Sequence, residues 1–152
     1  MFLIRDMTYE DYWVIPMMAG AAAAEGLPFF KEDEFDHDCA RDTFGDALEG
    51  GISVIAINDN EPIGFILANT AVHPITGLVL ADISAWYVIP SARKTGAGPI
   101  LLRAYLGWCD ELLVMPTINV SSGKRTKAIG RMIERLGFRA IGATYLPESY
   151  CG

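Results

Sequence analysis

Tyr87-Val88-Ile89-Pro90-Ser91-Ala92-Arg93-Lys94-Thr95-Gly96-Ala97-Gly98 is the stretch on which the reading of this chain turns. A β-rich run from Ala81 to Val88 stops at Pro90, which has no N–H for a sheet ladder and so favours a strand end. Two cations and two glycines follow. Then comes Pro99-Ile100-Leu101-Leu102-Arg103-Ala104-Tyr105-Leu106, a helical pattern with proline in its first turn, where a missing N–H costs little. Gly96 and Gly98 remove side chains where backbone must approach a ligand closely, and the N–H groups at a helix start form an anion site. The stretch therefore reads as a strand–loop–helix unit that holds a pyrophosphate. A dinucleotide-binding loop would need a third glycine three residues on, but position 101 is leucine and the motif lies late in the chain. A kinase-type phosphate loop would need Gly-Lys-Ser/Thr, which is absent here.

These residues resemble the signature of the GNAT family of N-acetyltransferases. That signature is Arg/Gln-x-x-Gly-x-Gly/Ala after a strand ending in Val-x-Pro. Arg93, Gly96 and Gly98 fill it, with Val88 and Pro90 at the expected distance upstream. Ile133-Glu134-Arg135-Leu136-Gly137-Phe138 is similar to the family's closing helix, which runs into Leu-Gly-Phe and a last strand, here Arg139 to Tyr145. Gly137 would be the left-handed cap of that helix, with Phe138 returning to the core. Ile63-Gly64-Phe65 also matches a common family pattern. The resemblance implies a GNAT-like α/β fold, a mixed β-sheet flanked by helices, acting as an acyl-CoA N-acyltransferase on acetyl-CoA and an amine substrate.

Composition sets wider bounds. A chain of 152 residues favours one domain, taken as residues 1–152, with a full core. A hydrophobic fraction of 51% with 20% charged residues is ordinary for a globular protein. The net charge of -7 argues against nucleic acid as a partner, since such domains are usually basic, and suits a cationic or neutral acceptor. Cys39, Cys109 and Cys151 are odd in number and irregularly spaced, so they form no zinc pattern and no disulfide framework. They read as reduced thiols in a cytoplasmic protein. Met1-Phe2-Leu3-Ile4-Arg5-Asp6 is not a signal peptide, and no apolar run reaches the roughly 18 residues of a membrane span.

Along the chain, Phe2 to Met7 reads as a first strand and Thr8-x-x-Asp11 as a capping box. The helix that follows should be kinked or divided at Pro16, and Gly26-Leu27-Pro28 breaks it. Phe35, Cys39, Thr43, Phe44, Ala47 and Leu48 recur at helical spacing up to Gly50-Gly51. Ile52 to Ile57 and Pro62 to Val72 are strands around an Asn58-Asp59-Asn60 turn, and Leu78 to Val88 is a long fourth strand. After the loop come a helix to about Leu113, a short strand from Thr117 to Val120, a helix from about Lys124 to Leu136, and a last strand. The order is β-α-α-β-β-β-α-β-α-β, a sheet covered by helices, and it is also the order the resemblance implies.

The resemblance also assigns roles. Tyr87, Val88, Arg93, Lys94, Thr95, Gly96, Ala97, Gly98 and Thr126 would border the coenzyme, with the backbone amides of the loop mattering more than the side chains and Arg93 and Lys94 facing phosphates. A carboxylate on the fourth strand often serves as base. The common glutamate position is Ser84 here, and Asp82, two residues earlier and on the same face by a period of two, is the candidate base. The usual acid, a tyrosine, is replaced by Ile133, and the asparagine seven residues earlier by Thr126. Tyr87 or Tyr145 would have to substitute. The acidic stretch Glu25, Glu32, Asp33, Glu34, Asp36 and Asp38 reads first as a solvated helix start; the resemblance places it beside the amine. His37 and His73 are isolated, and no metal is expected. Trp86 and Trp108 belong to the core. The losses at 126 and 133 leave a second expectation open, a non-catalytic module of the same fold within a larger assembly such as a virus particle. A homodimer is also compatible with the resemblance.

Overall fold

A computed structural model describes residues 1–120 and 125–151. Its centre is a five-stranded sheet in the order β1-β2-β3-β4-β5. β1 (Phe2–Asp6) pairs antiparallel with β2 (Ile52–Asn58), from Phe2↔Asn58 to Asp6↔Val54. β2 returns as β3 (Glu61–Val72) through Asp59 and Asn60, at φ of 51° and 65°. Two consecutive left-handed residues make the mirror-image turn whose twist suits a hairpin, and Asp and Asn are the side chains that tolerate it. β3 pairs antiparallel with β4 (Val79–Val88). β5 (Met115–Pro116) then joins β4 in parallel, through Leu80↔Met115 and Ala81↔Pro116 alone.

Both faces of the sheet are covered, which is why β2 and β3 read as nearly unbroken apolar runs. On one face, α1 (Val14–Ala24) and α2 (His37–Gly50) place Val14, Met18, Phe44 and Ala47 against Ile55, Phe65 and Leu67. On the other, α3 (Ala97–Leu112) and α4 (Thr126–Arg135) place Leu101, Leu102, Tyr105 and Ile133 against Val54, Ile66, Ala68, Ala81 and Val88. Trp86 and Trp108 pack against this second cluster, as expected of core residues.

Gly51 makes the β2–β3 approach possible. A Cβ there would lie 2.0 Å from the carbonyl oxygen of Ala68, closer than any van der Waals contact allows. Gly51→Ala is expected to destabilise the fold by about 2–4 kcal/mol, in the range of backbone strain and overpacking. A thermal melt indistinguishable from wild type would contradict this.

The predicted helix start at Thr8 is present. The N–H of Thr8 donates to the Asp11 carboxylate at 2.8 Å, opening a 3₁₀ turn (Tyr9–Trp13) that runs into α1. The division thus falls before Pro16, which sits in the first turn of α1, where its missing N–H has no helical partner to lose. Arg5 donates two bonds to the same carboxylate, at 2.8 and 2.9 Å. These bonds, assisted by Thr8 and opposed by burial, hold the Asp11 carboxyl below its ordinary value. A depressed folded-state value means stability that is present above about pH 4 and lost as pH falls through the folded value. Asp11→Asn should therefore flatten the acid limb of a plot of Tm against pH, and an unchanged limb would exclude this linkage.

Two expectations need correction. The short strand lies at Met115–Pro116 rather than Thr117 to Val120, because Tyr105, fully buried, donates to the Thr117 carbonyl at 2.8 Å and holds the chain at that point against α3. The last strand, Arg139 to Tyr145, does not form; the segment is exposed, with Ile141 at 94% and Tyr145 at 89%, and a short α5 (Glu148–Cys151) follows. Its alternation is strand-like, but the two-residue β5 offers it little edge to pair with. The helix predicted from about Lys124 is found as α4, while Lys124 itself lies outside the described residues. Among the described residues no helix is long and apolar enough to cross a membrane.

Candidate active site

The site grows from the end of β4. Gly64 lacks a side chain where the Tyr87 carbonyl oxygen would stand 2.8 Å from a Cβ, so β4 lies flush on β3. The Ile89 N–H then donates to the Ile63 carbonyl at 2.9 Å, the last tie to the sheet before a 3₁₀ turn (Pro90–Ala92). Ala92 and Ala97 are buried anchors on either side of the loop. Thr95 closes it, its hydroxyl donating to the Ala92 carbonyl at 2.6 Å and accepting from the Ala97 N–H at 3.3 Å. Gly96 caps α3 at φ +88°, a conformation other residues rarely adopt. The N–H groups of Gly96 and Gly98 have no hydrogen-bond partner among the described residues, and Pro99 has none to offer. Two unmatched donors at the positive end of a 16-residue helix are an arrangement that can receive an anion.

β4 and β5 separate beyond Ala81. The Thr117 N–H and hydroxyl both donate to the Ala81 carbonyl, at 2.9 and 2.7 Å. Past that point no strand among the described residues pairs with the β5 side of β4. From Asp82 to Val88 this open edge runs about 20 Å, at about 3.3 Å per residue, and ends at the glycine loop. Within it lies a β-bulge. Leu67 pairs with Ala85 and Ala68 with Ile83, so Ser84 is the extra residue.

The bulge shifts the alternation of β4 by one residue between Ile83 and Ala85. Ala81 and Ile83 pack towards α3 before it, Trp86 and Val88 after it, while Ala85 and Tyr87 turn to α1 and α2. Asp82 pairs with Asn69, which donates to the Asp46 carbonyl of α2, so Asp82 stands on the α2 face. Its carboxylate is exposed, 3.5 Å from the Thr117 hydroxyl, where the two strands part. Thr117 was not singled out from sequence; its role comes from pairing with a strand 36 residues away.

Arg93 is not turned to solvent. Its guanidinium donates to both oxygens of Glu25 at 2.6 Å, and Nε donates to the Val88 carbonyl at 3.0 Å. Tyr87 donates its hydroxyl to the same carboxylate at 2.5 Å, and the guanidinium lies 5.6 Å from its ring centre. The hydrogen bonds from Arg93 hold Glu25 below the usual carboxylate range against the effect of burial, with Tyr87 and the field of Arg125, beside α4, adding to them. Burial, then the bond to Glu25, pushes the Tyr87 phenol far above its ordinary value, which removes it as a ready acid. Neither Glu25 as a partner nor Arg125 was legible from spacing. Lys94 is exposed and makes no ion pair among the described residues.

The remaining expected positions are dispersed. Val88 is buried on the α3 side. Thr126 opens α4 beside Arg125. Ile133 is a buried core residue, so the place of the usual acid is filled by hydrocarbon. Tyr145 is almost fully exposed and has no hydrogen bond or ring contact among the described residues, so the structure does not bring it to Asp82.

Comparison with known proteins converges on one fold. The sequence profile of the acetyltransferase (GNAT) family matches residues 8–138. Ribosomal-protein-alanine N-acetyltransferase from Brucella melitensis biovar Abortus 2308 is similar at 17% identity, with 96% of this chain and 97% of that one covered and a TM-score of 0.69. AAC(6')-Iy in complex with the bisubstrate analogue CoA-S-monomethyl-acetylneamine is similar at 18% identity, 97% of each chain and a TM-score of 0.67. A putative acetyl transferase from Pyrococcus furiosus is similar at 18% identity, 97% of this chain and 99% of that one, with a TM-score of 0.67. At these identities the likeness is one of fold. No curated protein sequence matched.

Proposed function

The chain belongs to the acetyltransferase (GNAT) family, and from that premise we propose that it transfers an acetyl group from acetyl-CoA to a primary amine by direct attack on the thioester. The observation that carries the reading is the open edge of β4, which ends at the two free N–H groups of Gly96 and Gly98. These amides, with Lys94, would hold the pyrophosphate. The edge beyond them, about 20 Å at about 3.3 Å per residue, matches the reach of an extended pantetheine arm. The acyl end would then lie between Asp82 and the bulge at Ser84, where backbone groups released from the ladder can meet a carbonyl oxygen. Thioester chemistry supplies the activated acetyl group. Asp82, on the acceptor face at the point of strand separation, is the proposed base that takes the ammonium proton, directly or through water. With Ile133 buried and Tyr145 remote, holding the two reactants together carries the rest of the acceleration. A cytoplasmic location and a reduced state of the three cysteines accompany this reading.

The test is release of free thiol from acetyl-CoA across a panel of amines: aminoglycosides, polyamines and peptide N-termini. Turnover on at least one primary amine is expected. Binding of acetyl-CoA without turnover on any of them would contradict the transferase reading.

A further inference from the structure

We infer that Glu25 is a positioning residue for the coenzyme loop: it holds the Arg93 side chain as a pin of that loop, and Arg93 does not bind phosphate itself. The inference rests on the acetyl-CoA reading above.

Glu25 follows directly on α1, whose end is fixed by Gly26 at φ +75° with the Leu27 N–H donating back to the Ala22 carbonyl at 3.1 Å. A carboxylate at a helix C-terminus faces the negative end of the dipole, so nothing in α1 itself favours an acid there. What favours it is Arg93, 68 residues on, bound through both guanidinium nitrogens at 2.6 Å. The two side chains are only 18% and 21% exposed, and such a fork needs the planar geometry of arginine. The third donor, Nε, reaches the Val88 carbonyl and so ties the two ends of the turn between β4 and the glycines. Arg93 thus closes the loop, and Glu25 fixes Arg93 from a different layer of the fold. The Tyr87 hydroxyl joins the same carboxylate, and the charge of Arg125 also acts on it. Phosphate recognition is left to the amides of Gly96 and Gly98, whose direction depends on this closure.

The experiment is a double-mutant cycle on acetyl-CoA affinity by calorimetry, with steady-state kinetics alongside. Glu25→Ala and Arg93→Ala are each expected to weaken acetyl-CoA about tenfold, and the double variant no further than the weaker single one. Arg93→Lys should not restore affinity. The KM for acetyl-CoA should rise while kcat at saturating coenzyme stays near wild type, a split that general destabilisation well below Tm does not produce. Glu25→Gln, nearly the same in shape, gives the same comparison if the alanine variant folds poorly. The inference is overturned if Glu25→Ala or Glu25→Gln binds as tightly as wild type or tighter while Arg93→Ala binds more weakly, because Arg93 would then be an independent phosphate ligand. Additive losses in the double variant overturn it equally. Absence of acetyl-CoA binding in the wild type would sink the functional reading instead.

Discussion

Asp82→Asn is expected to lower turnover by about 10²–10⁴-fold, the usual share of general acid–base catalysis. The affinity for acetyl-CoA should hardly change, because the glycine loop lies at the far end of β4. Asp82 stands where β5 leaves β4, exposed, with the Thr117 hydroxyl 3.5 Å from its carboxylate. Asparagine keeps the size of the side chain and its contact with Thr117, so a loss of rate would report the missing proton acceptor. The loss should be greatest at low pH, where the acceptor amine is protonated, and part of the rate should return at high pH, where it is already neutral. Equal turnover of variant and wild type across pH would remove Asp82 from the mechanism. Positioning alone, or a water, would then do its work.

Gly96→Glu should abolish the stabilisation by acetyl-CoA altogether. The residue is at φ +88°, so any side chain costs about 1–2 kcal/mol of backbone strain. A Cβ there meets no atom within 4 Å among the described residues, and the added carboxylate would project from the loop into the space proposed for a phosphate. Two effects are therefore expected, a modest fall in Tm without ligand and no rise with it. Gly98→Ala separates them. Its Cβ would lie 3.8 Å from Val88 Cγ2, an ordinary contact, so the protein should fold normally. Any loss of coenzyme affinity there would come from the ligand side of the loop. A Gly96→Glu protein stabilised as strongly as wild type would place the phosphates elsewhere.

The fold was legible where the rules are local. Pro90 ends β4, Gly96 turns the chain and Pro99 sits in the first turn of α3, and each follows from one residue's backbone. The two-sided burial of β2 and β3 also showed in their apolar runs. What failed depended on distant partners. The bulge at Ser84 exists because Leu67 and Ala68 skip a residue opposite it, and no alternation within β4 announces that. Arg93 looked like a loop cation, since Glu25, its partner, belongs to the other end of another helix. Arg139 to Tyr145 has the alternation of a strand, yet pairing also needs an edge, and β5 is only two residues long. The loop's geometry was legible and the arrangement around it was not, for the same reason. The turn uses neighbouring residues, whereas the contacts of Asp82 with Thr117 and of Arg93 with Glu25 join segments far apart in the chain.

The central claim is that the glycine loop and the open edge of β4 together bind acetyl-CoA. A thermal melt of the full chain with and without acetyl-CoA measures this directly. Ligand at about 100 times its Kd should add roughly 2.7 kcal/mol to stability, a rise in Tm of about 5–10 °C for a chain of this size. That rise should be absent with free pantetheine, which carries no phosphate for the amides of Gly96 and Gly98. A Tm unmoved by millimolar acetyl-CoA would contradict the account.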